Sequence, residues 1–177
     1  IFRDVFDLRV HNKLLSYLSL SPYSKRYMTF SFSIVSLVES IIVGFVAIIL
    51  FSSIIPYPFG FIKTLGFIFY FSIYTFLLSN IFMMISILSD KLSTIFISLF
   101  TFIFFILFGS GLIISPNFYP PSINATFSLL PLVMCVKSMQ LYLFSSFFNL
   151  TFTMISIFAS VVLLIINSIL LRNKLSQ

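Results

Sequence analysis

The sequence predicts an all-α fold, a polytopic bundle of transmembrane helices, and three observations carry that prediction. Hydrophobic residues make up 60% of the 177 positions and charged residues only 8%, with a mean hydropathy of +1.18. So little polar surface does not cover a globule, and the surplus apolar surface must face hydrocarbon. Uncharged runs such as Leu92 to Val136 and Ser138 to Leu171 are longer than a water-soluble fold of this size can hide. The charge that remains is gathered at one end: Arg3, Asp4, Asp7, Arg9, Lys13, Lys25 and Arg26 are half of all the Asp, Glu, Lys and Arg. The length allows one domain, residues 1–177, whose first 26 residues meet water while the rest is built for lipid.

Residues 1–26 are expected to form an N-terminal cytoplasmic amphipathic helix, in one or two pieces. Phe2, Phe6 and Val10 share one helical face, and Leu14, Leu15 and Leu18 share another, with the switch near His11 and Asn12. Ser21 followed by Pro22 supplies an N-cap and a proline at the first helical position, so a new helix starts there.

Four segments then meet the requirement of about 20 apolar residues for crossing a core of roughly 30 Å: residues 29–51, 64–88, 92–114 and 147–171. The first two are joined through Pro56, Pro58 and Gly60, which stop a helix and let the chain reverse. Only Ser89, Asp90 and Lys91 separate the second from the third, which makes those two antiparallel neighbours. Residues 115–146 carry Pro116, Pro120, Pro121 and Pro131, yet from Leu129 onward they are too apolar for a solvated loop. Irregular backbone at membrane depth needs partners for its polar groups, so this segment is read as an outer re-entrant helical hairpin. Pro131 opens its second helix, and Lys137 reaches outward.

Lys and Arg orient the bundle. With a cytoplasmic N-terminus, four crossings leave only Lys63 and Lys137 on the outer side, against eight cations inside. The expected location is the cell membrane, multi-pass, with both ends of the chain cytoplasmic. The net charge of +6 is explained by these flanking cations, and no nucleic-acid partner is implied. The single cysteine, Cys135, excludes an intramolecular disulfide. The chain opens with charge and a first apolar run of full span length, unlike a cleaved signal peptide. Its start at Ile1 rather than Met is what a piece of a longer protein would show.

Three stretches resemble the membrane subunits of type 2 ATP-binding cassette transporters. Leu14 to Ser24, ending in Ser21-Pro22-Tyr23-Ser24, is similar to that family's cytoplasmic segment before the third span. Gly109-Ser110-Gly111 running on to Tyr119-Pro120-Pro121 resembles its small-residue exit from the fifth span. Leu129-Leu130-Pro131-Leu132, followed by Val136 to Leu143, resembles its hairpin before the last span. The three occur in the family's order and spacing over most of the chain, although Asp7, Arg9 and His11 stand where the family commonly has Glu and Gly. The resemblance implies a permease subunit of an ATP-driven exporter, paired as a homodimer or heterodimer and bound to an ATP-binding cassette ATPase. It implies coupling to that ATPase through Leu14, Leu15, Leu18, Ser21 and Pro22, and two further spans ahead of the four seen here. ATP and Mg would then sit on the partner, with no cofactor in this chain. A multispan carrier and a non-transporting membrane scaffold are the alternatives.

Few residues carry chemistry. Glu39 lies ten residues into a 23-residue span, where an ionised side chain costs about 2.5 to 3.5 kcal/mol on insertion scales, so it should face the bundle or a cavity. Ser33, Ser36, Ser40 and Gly44 share nearly one side of that helix, and Ser40 with Gly44 forms a small-xxx-small pair that permits close approach. Two roles stay open for Glu39: a carboxylate on a substrate path or dimer seam, or a structural group bonded to serines. Asn80 reads either as path lining or, more simply, as glue between helices. His11 stands alone, so no metal site is expected. With Asp4, Asp7, Glu39 and Asp90 the only acids, and without a phosphate-cradling loop, a zinc helix or a nucleophile elbow, the chain is not expected to be an enzyme.

Overall fold

The computed structural model describes residues 25–54, 60–89, 92–115 and 118–175. Within them the chain is helical: α1 (Lys25–Ile54), α2 (Phe61–Leu88), α3 (Leu92–Gly109), α4 (Pro121–Ser128), α5 (Pro131–Ser145) and α6 (Leu150–Leu175). Three are long and apolar enough to cross a membrane, in the stretches Thr29–Leu50, Phe61–Leu88 and Leu150–Asn173, and a fourth crossing is counted if α4 and α5 form one bent span. The N-terminal segment with Leu14, Leu15, Leu18, Ser21 and Pro22, expected to be cytoplasmic, the reversal expected at Pro56 and Pro58, the Asp90-Lys91 link and Pro116 lie outside the described residues.

The polarity of the bundle is inverted relative to a soluble protein. Thr29, Ser33, Asn80, Ser110, Ser138, Thr153, Ser156, Ser160 and Asn167 are buried, while Val35, Ile42, Val46, Ile97, Phe104, Phe158 and Ile169 are exposed. Helices in lipid gain little from hiding Leu or Phe from hydrocarbon, and they associate through small residues and hydroxyls that let backbones approach. An exterior of this kind is that of a membrane protein.

α2 is the central helix and packs against α1, α5 and α6. Gly44, ten residues before the end of α1, meets the Phe71 ring, ten residues after the start of α2, so the two helices run antiparallel. Asn80 pairs with Asn167 and Tyr70 with Thr153, so α2 and α6 run in the same direction. α6 starts later than expected from the sequence, at Leu150 rather than residue 147, because Asn149 Oδ1 accepts the Phe152 amide at 3.1 Å and so caps the helix.

The third apolar segment also departs from its expected bounds. α3 ends at Gly109 rather than residue 114, because Gly111 adopts φ 78, a left-handed conformation that only glycine takes without strain. Its 18 residues extend about 27 Å against about 42 Å for the 28 residues of α2. α3 therefore stops partway along α2, where Ile106 joins Leu77 and Leu132 in the hydrophobic core. It buries a stripe of Ile95, Leu99 and Ile106 and touches α2 only lightly, a looser neighbour than a three-residue link suggests.

From this halfway level the chain turns back. α4 and α5 each begin with proline at the first helical position and meet at 91°. α5 starts beside Leu77 and ends at the head of α2, where Tyr142 Oη donates to the Ile62 carbonyl at 3.0 Å and Lys63 Nζ to the Leu143 carbonyl at 3.2 Å. Ser146 closes it in a left-handed conformation, φ 53. α5 thus packs against both α2 and α6, and its Leu132, Val133, Met134, Cys135 and Val136 are buried. Among the glycines and prolines singled out from the sequence, Gly109 leaves room for the Phe127 ring of α4, Gly111 turns the chain, and Pro120, Pro121 and Pro131 start the two short helices.

Candidate functional site

Two polar sets face different ways in the bundle, and only one of them is open. The closed set runs between α2 and α6. Thr153 Oγ1 donates to the Asn149 carbonyl at 2.7 Å, which leaves its lone pairs to accept the Tyr70 hydroxyl at 3.2 Å. Ser156 Oγ lies 2.8 Å from the Phe152 carbonyl and 3.0 Å from that of Pro131, tying α6 to the first turn of α5. Deeper along α2, Asn80 Nδ2 donates to the Phe76 carbonyl and Asn167 Nδ2 to the Asn80 carbonyl, both at 2.8 Å.

The Asn80 side chain thus bonds its own helix, and the tie across to α6 is made by its backbone carbonyl, with Asn80 Oδ1 3.5 Å from Asn167 Nδ2. Its partner Asn167, with Thr153, Ser156 and Ser160, was not singled out from the sequence. The signal was present: positions 153, 156, 160 and 167 recur at helical spacing in an otherwise apolar run. Asn167 Oδ1 is buried with no hydrogen-bond partner among the described residues.

The open set lies between α1 and α2. Thr29, Ser33, Ser36, Ser40 and Gly44 form the buried stripe of α1. Gly44 admits the Phe71 ring so closely that an added Cβ would sit 3.1 Å from it, which places this small-xxx-small contact inside one chain. Glu39, expected to face the bundle or a cavity, lies at the edge of this stripe. It sits one residue before Ser40, about 100° around the helix, and its side chain is exposed. It opens into a groove of about 280 Å³ with Ser36 and Ser40 on one wall and Thr75 and Ser79 on the other; Phe71 and Phe82 supply apolar surface. Among the described residues no Lys, Arg or His lines the groove. A second groove, of about 320 Å³, lies at the far end of α5 beside Lys137, Gln140 and Phe144.

No cluster of His, Cys, Asp or Glu suited to a metal ion occurs among the described residues. Cys135 is buried, and its thiol lies 3.6 Å from the Tyr70 carbonyl. Searches against known protein families, curated proteins and solved structures returned no match.

Proposed function

We propose that this chain is a permease subunit of an ATP-driven exporter of the type 2 ATP-binding cassette class, taking energy from a separate ATPase. The observation that supports this reading most directly is the bent pair α4 and α5 ahead of the final long helix. A helix broken at Pro131 and inserted beside α2 is what the resemblance of Leu129 to Leu143 implies. In this reading α1, α2, α3 and α6 are the four crossings, α4 and α5 are a re-entrant hairpin on the outer side, and both chain ends are cytoplasmic. Leu14, Leu15, Leu18, Ser21 and Pro22 would rest on the ATPase. Closure of two ATPases would then move the helices as rigid bodies.

The reading is tested by placing a photo-crosslinking residue at Leu18 in membranes of the native host. The expected product is a polypeptide that carries a G-x-x-x-x-G-K-[ST] loop, obtained at Leu18 and missing from the lipid-facing control position Phe158. Crosslinks from Leu18 to lipid alone, or to proteins without that loop, reject the coupling role and leave a carrier or scaffold. Orientation has a separate readout: Phe118→Cys should react with an impermeant maleimide in intact cells, and Asn173→Cys only after permeabilisation. The reverse pattern inverts the topology.

A further inference from the structure

We infer that the Glu39 groove between α1 and α2 is a binding site for a small organic cation, a protonated amine with an apolar body. The argument starts from where the hydroxyl hydrogens point. Ser40 Oγ donates to the Leu37 carbonyl at 2.8 Å, Thr75 Oγ1 to the Phe71 carbonyl at 2.8 Å, and Ser79 Oγ to the Phe76 carbonyl at 2.9 Å. Each hydroxyl has one hydrogen, and each is already donated to its own helix. What these groups offer the groove is lone pairs.

At Ser40, Thr75 and Ser79 the groove therefore presents acceptors, beside the Glu39 carboxylate and the Ser36 hydroxyl. An anion or a bare carbonyl finds no side-chain donor here from Ser40, Thr75 or Ser79. An ammonium group, with a positive charge and up to three N–H donors, matches both features. Phe71 and Phe82 add aromatic surface for the apolar body and for cation–π attraction. The volume of about 280 Å³ is at the small end of ligand pockets, which fits one ring and a short chain rather than a lipid or a peptide.

Position strengthens the case. Glu39 is near the middle of the apolar stretch Thr29–Leu50 and points outward on a helix whose neighbours Val35, Val38, Ile42, Val43 and Val46 are exposed. A carboxylate in hydrocarbon must be neutralised or covered, and no Lys, Arg or His among the described residues lines its groove. A bound ammonium group would supply that charge. Calling the bound amine a cargo rests on the permease reading, whereas its binding rests on the groove alone.

The test is calorimetric titration of 4-phenylbutylammonium into the full chain in lipid nanodiscs, with empty nanodiscs subtracted. The expected result is saturable binding, one site per chain, weakened at least tenfold in Glu39→Gln. The trimethylammonium analogue, which has no N–H, should bind more weakly than the primary amine, and this preference should shrink in a Thr75→Val, Ser79→Ala double variant. 4-Phenylbutanol should not compete. Unchanged binding by a folded Glu39→Gln, or equal competition by the alcohol, overturns the proposal. So does high-yield disulfide pairing through Val43→Cys in a dimer that no longer binds, because the groove is then filled by a second copy of the chain. Binding without an ATPase crosslink at Leu18 keeps the site and removes the transporter, and the converse result keeps the transporter and removes the site.

Discussion

Gly66 on α2 gives the most direct test of the packing that inserts α5 into the bundle. A Cβ added there would sit 1.9 Å from Tyr142 Cε1, 2.3 Å from Cζ and 2.7 Å from Oη. All three distances are below contact, so Gly66→Ala must displace the Tyr142 ring. The ring has little freedom to move cheaply: its hydroxyl donates to the Ile62 carbonyl, and its face lies 5.8 Å from Tyr70. Overpacking of this kind costs about 1 to 3 kcal/mol, and losing the hydrogen bond adds about 0.5 to 1.5 kcal/mol. Against this, alanine is favoured over glycine within a helix by up to about 1 kcal/mol. The net loss should be on the order of 2 kcal/mol, a fraction of total stability large enough to measure.

The assay is equilibrium unfolding of the purified chain in mixed micelles with a rising fraction of denaturing detergent, run as a double-mutant cycle with Tyr142→Leu. With the ring tip gone, the clash and the hydrogen bond no longer enter, and Gly66→Ala should be neutral or stabilising by a few tenths of a kcal/mol. A reversal of sign between the two backgrounds is the expected signature. If Gly66→Ala costs the same with and without the tyrosine, α5 does not pack on α2 as described.

The other predictions rest on separate contacts. Gly109→Ala should also destabilise, by roughly 1 to 3 kcal/mol, because the clashing atoms are Phe127 Cδ1, Cγ and Cβ, close to the α4 backbone; Gly60→Ala, which meets nothing within 4 Å, should be tolerated in the same assay. Cys135 should resist maleimide in mild detergent and react on unfolding, since it is buried beneath Tyr70, whereas Phe118→Cys should label at once. Asn167→Leu should cost no more than about 0.6 to 1.7 kcal/mol, because it removes the donor of the tie to the Asn80 carbonyl, whereas Asn80→Leu should cost less, because that acceptor is backbone and survives the substitution.

How much was legible in the sequence depended on whether one residue type had one physical meaning. Prolines came close: Pro131 opens a helix, as read from the sequence, because a missing N–H costs nothing at the first position, and Pro121 opens another whose start the sequence reading left unspecified. Long apolar runs were equally plain for α1, α2 and α6. The end of α3 was not, because the apolar run continues through Leu112, Ile113 and Ile114 while the helix is stopped by the left-handed turn at Gly111. Hydropathy carries no record of φ. Gly66 was unreadable for a related reason: the ring it accommodates is 76 positions away, on a helix whose register against α2 is set by tertiary packing.

Serines and threonines were the hardest to read, since in lipid a hydroxyl can tie two helices or merely satisfy its own backbone. Thr153 and Ser156 do both, and Ser40, Thr75 and Ser79 only the second. This distinction separates the inside of the bundle from the groove between α1 and α2. A hydroxyl that also bonds across helices is consumed by the fold, whereas one that only donates backward along its own helix keeps its lone pairs free. Glu39 stands beside hydroxyls of the second sort, on the side of α1 that the chain leaves open. Its position among acceptors is the reason to seek its partner in a ligand rather than in the chain.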